Sequence, residues 1–224
     1  FNRLEGDFPI AVVNSDAILH MHQNPALYSV IDLDPYGSAS PFLDAAMGSI
    51  LPGGLVCITS TDGGVLCGNQ PHLAFARYGG FALKEDYCHE MGLRVLLTAV
   101  SAAAGRRRRA IRVLAAFSID FYFRVFVQVI ESPGESLEAL SHTGLVFQCV
   151  NCPFHQIQPL CVAGTVPKPA RLPLSICPQC DSPVSVGGPM WIGPTFHAPF
   201  LDQAISESEN QSEFPGISSW DKLR

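Results

Sequence analysis

Two groups of residues have the types and spacing to do chemistry. The first is Cys149-Val150-Asn151-Cys152, followed after 24 residues by Cys177-Pro178-Gln179-Cys180. Each Cys-x-x-Cys turn presents two thiolates on one side. Four thiolates close a tetrahedral zinc shell with no position left for water, so the expected role is structural. His155 and Cys161 lie close enough in sequence to be alternative ligands. The second group is Asp32-Leu33-Asp34-Pro35-Tyr36-Gly37, at the end of an apolar run. Two carboxylates beside a ring and a proline-fixed backbone can accept the hydrogens of an amino group while the ring stacks on a flat substrate. An ordinary strand-to-helix turn with Asp as the cap is the plainer alternative.

These residues need elements to hold them. Ile10–Val13 reads as a buried strand ending in Asn14-Ser15-Asp16, followed by a short helix over Ala17–His22. Tyr28–Leu33 reads as a second strand, stopped by Pro35 and Gly37. Ser40-Pro41 opens a helix through Ile50, and Gly53-Gly54 precede a third strand, Leu55–Ser60. Its polar end, Thr59–Asp62, falls where open α/β sheets bind ligands. A helical period runs from Lys84 to Ala104 and stops at Gly105. The run from Arg112 to Ile130 reads as two strands paired as a hairpin about Ser118-Ile119-Asp120. The expected class is α/β: a partial, Rossmann-like, doubly wound mixed sheet over residues 1–133. Glu131–Ser136 is a linker to a small zinc-binding carboxyl-terminal domain over 134–200, rich in Pro, Gly and Cys. Residues 201–224 form an acidic, Ser-containing tail with little structure of its own unless docked.

Composition narrows the function. The 224 residues are 47% hydrophobic and 15% charged, enough apolar material for a core and too much for global disorder. The longest apolar stretch, Ile111–Ile130, carries Arg112, Asp120 and Arg124, which excludes it as a membrane span. Eight cysteines, four of them in the paired motif, read as metal binding in a reducing compartment rather than as disulfides. A net charge of −6 argues against nucleic acid, yet nine Lys/Arg face four acids between Arg77 and Arg124. Arg106, Arg107, Arg108 and Arg109 form the densest run. They are candidates for phosphate contact, or else a helix end whose charges complement the dipole. His89-Glu90 lacks the second His of a zinc protease, and Gly63–Gly68 lacks phosphate-loop residues and reads as a flexible loop.

The Asp-Pro-aromatic form of Asp34-Pro35-Tyr36 is similar to that of amino-group methyltransferases. A long colinear series makes the resemblance specific: Asn14–Ala17, Ile31–Ser38, Phe42–Ala46, Gly53–Thr59 with Thr61-Asp62, and Tyr87–Met91. It continues through Ser118–Tyr122, Arg124–Val127, Phe147–Cys149 and Gly187–Trp191. In these residues the chain resembles the tRNA guanine-26 N2-dimethyltransferase family. The resemblance implies S-adenosyl-L-methionine as cofactor, tRNA as partner, structural zinc, and transfer of one and then a second methyl to the N2 amine of guanine-26. It implies that Asp34 holds the amine with Asp32 in support, and that Tyr36, beside Pro35, stacks on the flipped base. Asp16 and Ala17 match adenine-contacting positions, and the four cysteines match zinc ligands. The family's glycine loop and ribose-binding acid come before the Asp16 segment, and the fifteen residues that precede it here carry neither. The chain is therefore expected to be part of a longer enzyme, cut at position 1. The alternative is a non-catalytic, zinc-stabilised tRNA- or protein-binding module. An intracellular location is expected, the nucleus for a eukaryotic source, with mitochondrion or cytoplasm as alternatives.

Overall fold

β-Branched runs separated by glycine and proline make the strands here, and their neighbours in sequence make the helices that cover them. The computed structural model describes residues 10–162, 168–169 and 175–210. The elements of the first region are α1 (Ala17–Gln23), β1 (Tyr28–Leu33), α2 (Leu43–Ser49), β2 (Ile50–Ser60), α3 (Gly63–Leu66) and α4 (Pro71–Tyr78). They are followed by α5 (Cys88–Gly105) and the hairpin β3 (Ala110–Ile119) and β4 (Tyr122–Ile130), turned by Asp120 at φ +48°. The sheet order is β1-β2-β4-β3, with β1 parallel to β2 and the other pairings antiparallel, a mixed sheet as expected.

Alternation along β4 shows where the core lies. Phe123, Val125, Val127 and Val129 are buried, while Tyr122, Arg124, Phe126 and Gln128 point to the other, half-buried face. The buried side meets α5, whose Val95, Leu96, Leu97 and Val100 are fully enclosed.

Several boundaries differ from expectation. Ile10–Val13 is neither a strand nor buried; Val12 is 89% exposed, because among the described residues no strand lies beside the outer edge of β1 to pair with it. β2 starts at Ile50 rather than Leu55, its early register broken between Tyr28 and Val30. Gly63–Gly68 is not a flexible loop: Val65 and Leu66 bury their side chains, which makes α3 a fixed turn of helix. α4, an element not expected from the sequence, starts at Pro71 and is ended by Gly79 at φ +74°. The linker contains α6 (Pro133–Glu138), capped by the Ser132 hydroxyl. The expected cut at position 1 and the end of the acidic tail, 211–224, lie outside the described residues, but 201–210 belong to a helix, α7 (Ala198–Asn210).

The later region holds β5 (Thr143–Cys149), β6 (His155–Pro159), β7 (Cys161–Val162), β8 (Lys168–Pro169) and β9 (Val184–Trp191). Strands β6-β5-β9 form an antiparallel sheet. Its β9 packs on α5, and Val146, Met190 and Trp191 join the same hydrophobic cluster as the first region. Phe81 and Gly188 exchange backbone hydrogen bonds across this seam, and Arg94 donates to the carbonyls of Trp191 and Gly193 at 3.1 and 3.2 Å. Gly80 is required there, since a Cβ would collide with the Pro189 carbonyl. Among the described residues no helix is long and apolar enough to cross a membrane.

Candidate active site and metal centre

Because β1 and β2 run in parallel with Leu33 opposite Ile58, the residues that follow them, Asp34 and Thr59–Asp62, emerge at one end of the sheet. β4 runs the other way and starts at this end, with Phe123 opposite Ser60 and Arg124 opposite Thr59. Arg124 therefore reaches across β2 to β1. Its guanidinium donates in bidentate fashion to both oxygens of Asp32, at 2.9 and 2.8 Å, and also to the Thr59 hydroxyl. Asp32 raises the Arg124 pKa and keeps it charged, and burial followed by the Asp32 charge pushes the Cys57 thiol up.

Both carboxylates are exposed, but Asp32 is tied down at both oxygens, whereas Asp34 has no ion pair among the described residues. Tyr36 stands fully in solvent at 104% relative exposure. Such a ring gains nothing from the fold and is available to a flat ligand. The loop that carries them turns at Gly37, whose φ of +79° any side chain would strain.

Hydroxyl groups that sequence reasoning missed anchor this loop. The Thr61 hydroxyl accepts from Gly37 N at 2.8 Å, Thr61 N donates to Gly37 O at 2.8 Å, and Ser60 Oγ accepts from Ala39 N at 3.1 Å. Behind them Asp62, only 7% exposed in its side chain, accepts from Tyr78 Oη at 2.7 Å and Arg77 Nη1 at 2.8 Å. Tyr78 Oη also lies 2.7 Å from Ser38 Oγ, and burial pushes its phenol pKa up. The legible signal was Arg124, a lone charge within an otherwise apolar strand, which must find a partner.

The other candidate residues are placed less uniformly. Asp16 caps α1, accepting from Leu19 N at 2.8 Å, and Ala17 is exposed beside it. Of the arginine run, Arg106 grips Asp44 through two bonds of 2.8 and 2.9 Å, and Arg107 donates to Asp44 O. Arg109 donates to the Met47 and Ile50 carbonyls at the end of α2, at 2.6 and 2.9 Å, which fits the dipole-complementing alternative. Arg108 is exposed, at φ +58°.

The four cysteines converge. Their sulfurs all lie within 4.8 Å of one another, with Cys149 to Cys180 at 3.4 Å and Cys152 to Cys177 at 3.6 Å, and none is in a disulfide. Metal–sulfur bonds of about 2.3 Å at tetrahedral angles demand sulfurs about 3.8 Å apart, so the donor set fits a tetrahedral ion. Amides of Asn151 and Cys152 point at Cys149 Sγ, and that of Gln179 at Cys177 Sγ, each at 3.4 Å, as thiolates require. Hydrogen bonds from Ser182, side chain then backbone, bring the Cys180 thiol down to about 6. His155 Nδ1 lies instead by Pro153 O, and Cys161 Sγ by the Ser141 hydroxyl. A further cluster, Cys67, Cys88 and His89, lies at the start of α5, where burial and the Cys88 thiol push Cys67 up to about 12.

The family model described as N2,N2-dimethylguanosine tRNA methyltransferase matches residues 2–218. The tRNA (guanine(26)-N(2))-dimethyltransferase of Schizosaccharomyces pombe is 45% identical over 204 residues, covering 86% of this chain and 37% of the relative. The Homo sapiens protein of that name is 38% identical, covering 89% and 32%. A solved complex of Trm1 from Pyrococcus horikoshii with S-adenosyl-L-methionine superposes with a TM-score of 0.75 at 28% identity, covering 88% of this chain and 48% of that one. The chain thus spans a third to a half of the length of these proteins. With a family model matched over nearly its whole length, and the Asp-Pro-Tyr-Gly loop and four-sulfur cluster both formed, this chain belongs to the N2,N2-dimethylguanosine tRNA methyltransferase family.

Proposed function

We propose that this chain carries the base-binding end of an enzyme that transfers one and then a second methyl from S-adenosyl-L-methionine to the N2 amine of guanine-26 in tRNA. The observation that carries the reading is the division of labour between two carboxylates: Asp32 is locked on Arg124, and Asp34 is left exposed beside Tyr36. The lone pair of an exocyclic guanine amine is delocalised into the ring. Hydrogen bonds from that amine to the Asp34 carboxylate and the Pro35 carbonyl localise the pair on nitrogen, and Asp34 then accepts the proton the methylated amine sheds. Tyr36 supports the flipped base by stacking. Asp32 acts as a positioning residue, through Arg124. Bound S-adenosyl-L-methionine supplies the electrophilic methyl, with Asp16 and Ala17 toward its adenine. The four cysteines hold Zn2+ as a closed, structural ion. Arg106, Arg107 and Arg108 contact tRNA phosphates from the surface, while Arg109 serves the fold. Cysteines kept as thiols suit an intracellular location, in the nucleus if the source is eukaryotic.

Calorimetric titration of S-adenosyl-L-methionine, followed by mass spectrometry of tRNA nucleosides, tests this. The expected products are N2-methylguanosine and then N2,N2-dimethylguanosine. Asp34→Ala should lower the rate by roughly 10^2 to 10^4-fold with metal content unchanged. An Asp34→Ala protein as active as the parent overturns the role of Asp34. A second reading, a zinc-stabilised tRNA- or protein-binding module without catalysis, draws on the four-sulfur cluster, which forms without any part of the Asp34 loop. It requires tRNA binding with no cofactor binding in the same titration.

A further inference from the structure

We propose that Cys67, Cys88 and His89 form a second metal site, separate from the four-cysteine cluster, that takes a Zn2+ ion. Their donor atoms all lie within 4.8 Å of one another, and Cys67 Sγ is 3.7 Å from His89 Nδ1. Metal–sulfur bonds of about 2.3 Å and metal–nitrogen bonds of about 2.0 Å at tetrahedral angles require about 3.5 Å between such atoms. The donors converge from two elements. Cys67 caps the end of α3, and Cys88 and His89 are the first residues of α5. The exposed His89 ring stacks on Phe123, centroids 6.2 Å apart and planes inclined by 20°, with Nδ1 on the Cys67 side.

Two thiolates and an imidazole select a thiophilic d10 ion over Mg2+ or Ca2+, which prefer oxygen. With the ring proton on Nε2, the Nδ1 lone pair faces Cys67 and, at 3.2 Å, the Ser118 hydroxyl. Three protein donors leave a fourth position to water beside Ser118. Uptake of the ion displaces two thiol protons to solvent and changes no oxidation state. The ion would tie α3, which directly follows Asp62, to α5 and to the tip of the β3–β4 hairpin. It would thus stiffen the end of the sheet that carries Asp34.

The test is the zinc stoichiometry of the full 224-residue chain, stripped with chelator, reloaded anaerobically under reducing conditions and weighed by native mass spectrometry. Two ions per chain are expected. Cys67→Ser and His89→Ala should each reduce this to one, whereas Cys149→Ser combined with Cys177→Ser should remove the other ion only. A wild-type chain that takes up one ion overturns the proposal, as does a Cys67→Ser chain that still binds two. Cadmium-113 NMR of the unmodified chain needs no variant to fold: two resonances are expected, one with the shift of four sulfurs and one of two sulfurs and a nitrogen. A lone four-sulfur resonance refutes the second site.

Discussion

In β4 every second residue from Phe123 to Val129 is buried, whereas in β6 none of the five residues is. The first region has a sheet whose one face is sealed by α5. Each enclosed Val or Leu there contributes about 1.5 to 3 kcal/mol relative to its exposed state. The large buried side chains of the β6-β5-β9 sheet are Val146, Phe147, Gln148, Met190 and Trp191, together with Cys149. A sheet so lightly covered needs another constraint, and the four sulfurs between its connecting turns would provide one on binding a tetrahedral ion. The difference teaches that one chain can use area in one place and ligand geometry in another, joined by the α5–β9 seam.

Metal removal is the largest perturbation of that contrast. Structural zinc contributes on the order of 10 kcal/mol of binding free energy in small modules, all of which counts toward folding. Chelation, or Cys177→Ser, should therefore strip amide protection from β5 and β6 while β2 and β4 keep theirs. Hydrogen exchange followed by mass spectrometry reads this directly. Unchanged protection in β6 would mean that the sulfurs are incidental to this sheet. The converse perturbation is Leu96→Ala, at a fully enclosed position of α5. It should cost about 2 to 5 kcal/mol and lower the midpoint of the main unfolding transition. If only β5 and β9 lost protection, the two regions would not differ as described.

Arg124→Met comes next in size. It removes both hydrogen bonds to Asp32 at once and leaves a carboxylate, itself half-exposed, without a counter-charge. That exposure limits the stability loss to about 1 to 2 kcal/mol. Loss of methylation should be larger than this implies, roughly tenfold or more, because the loop after β1 loses its orientation. In a double-mutant cycle, Asp32→Asn added to Arg124→Met should cost little more than Arg124→Met alone. Additive losses would give Asp32 a direct part in the chemistry.

Much of this was legible in the sequence, and the exceptions share a cause. Tyr28–Leu33 and the hairpin were readable because β-branched runs flanked by turn residues specify strands locally. The four cysteines were readable because metal chemistry fixes their spacing. Ile10–Val13 misled because apolar runs report a preference for burial, and only a neighbouring strand can satisfy it. Gly63–Gly68 misled because two glycines speak for a loop, whereas the burial of Val65 and Leu66 decides for a helical turn. The grip of Thr61 on Gly37 could not be read, and Arg124 signalled only its need of a partner, not that the partner is Asp32. Both depend on which strands are neighbours, a fact set by the whole sheet. For the arginine run the sequence favoured phosphate contact over dipole complement, and the fold turns Arg106 and Arg107 to Asp44 and Arg109 to the end of α2, with Arg108 left in solvent.

Arg108 allows the smallest and cleanest test of that division. Its φ of +58° is left-handed, a conformation that costs a non-glycine residue about 1 kcal/mol. Its side chain is exposed, so what the residue does for the fold is mostly unfavourable. Arg108→Gly should raise stability by about 0.5 to 1 kcal/mol in denaturant titration, while tRNA binding weakens and its salt slope becomes shallower by about 0.7 to 0.9. Arg109→Ala should act in the opposite sense. It leaves the Met47 and Ile50 carbonyls without their charged donor, costs about 1 to 3 kcal/mol, and does not change the salt slope. If Arg108→Gly left the salt slope as it was, the run would be a helix terminus only, and the phosphate contacts of the protein would have to lie elsewhere on its surface.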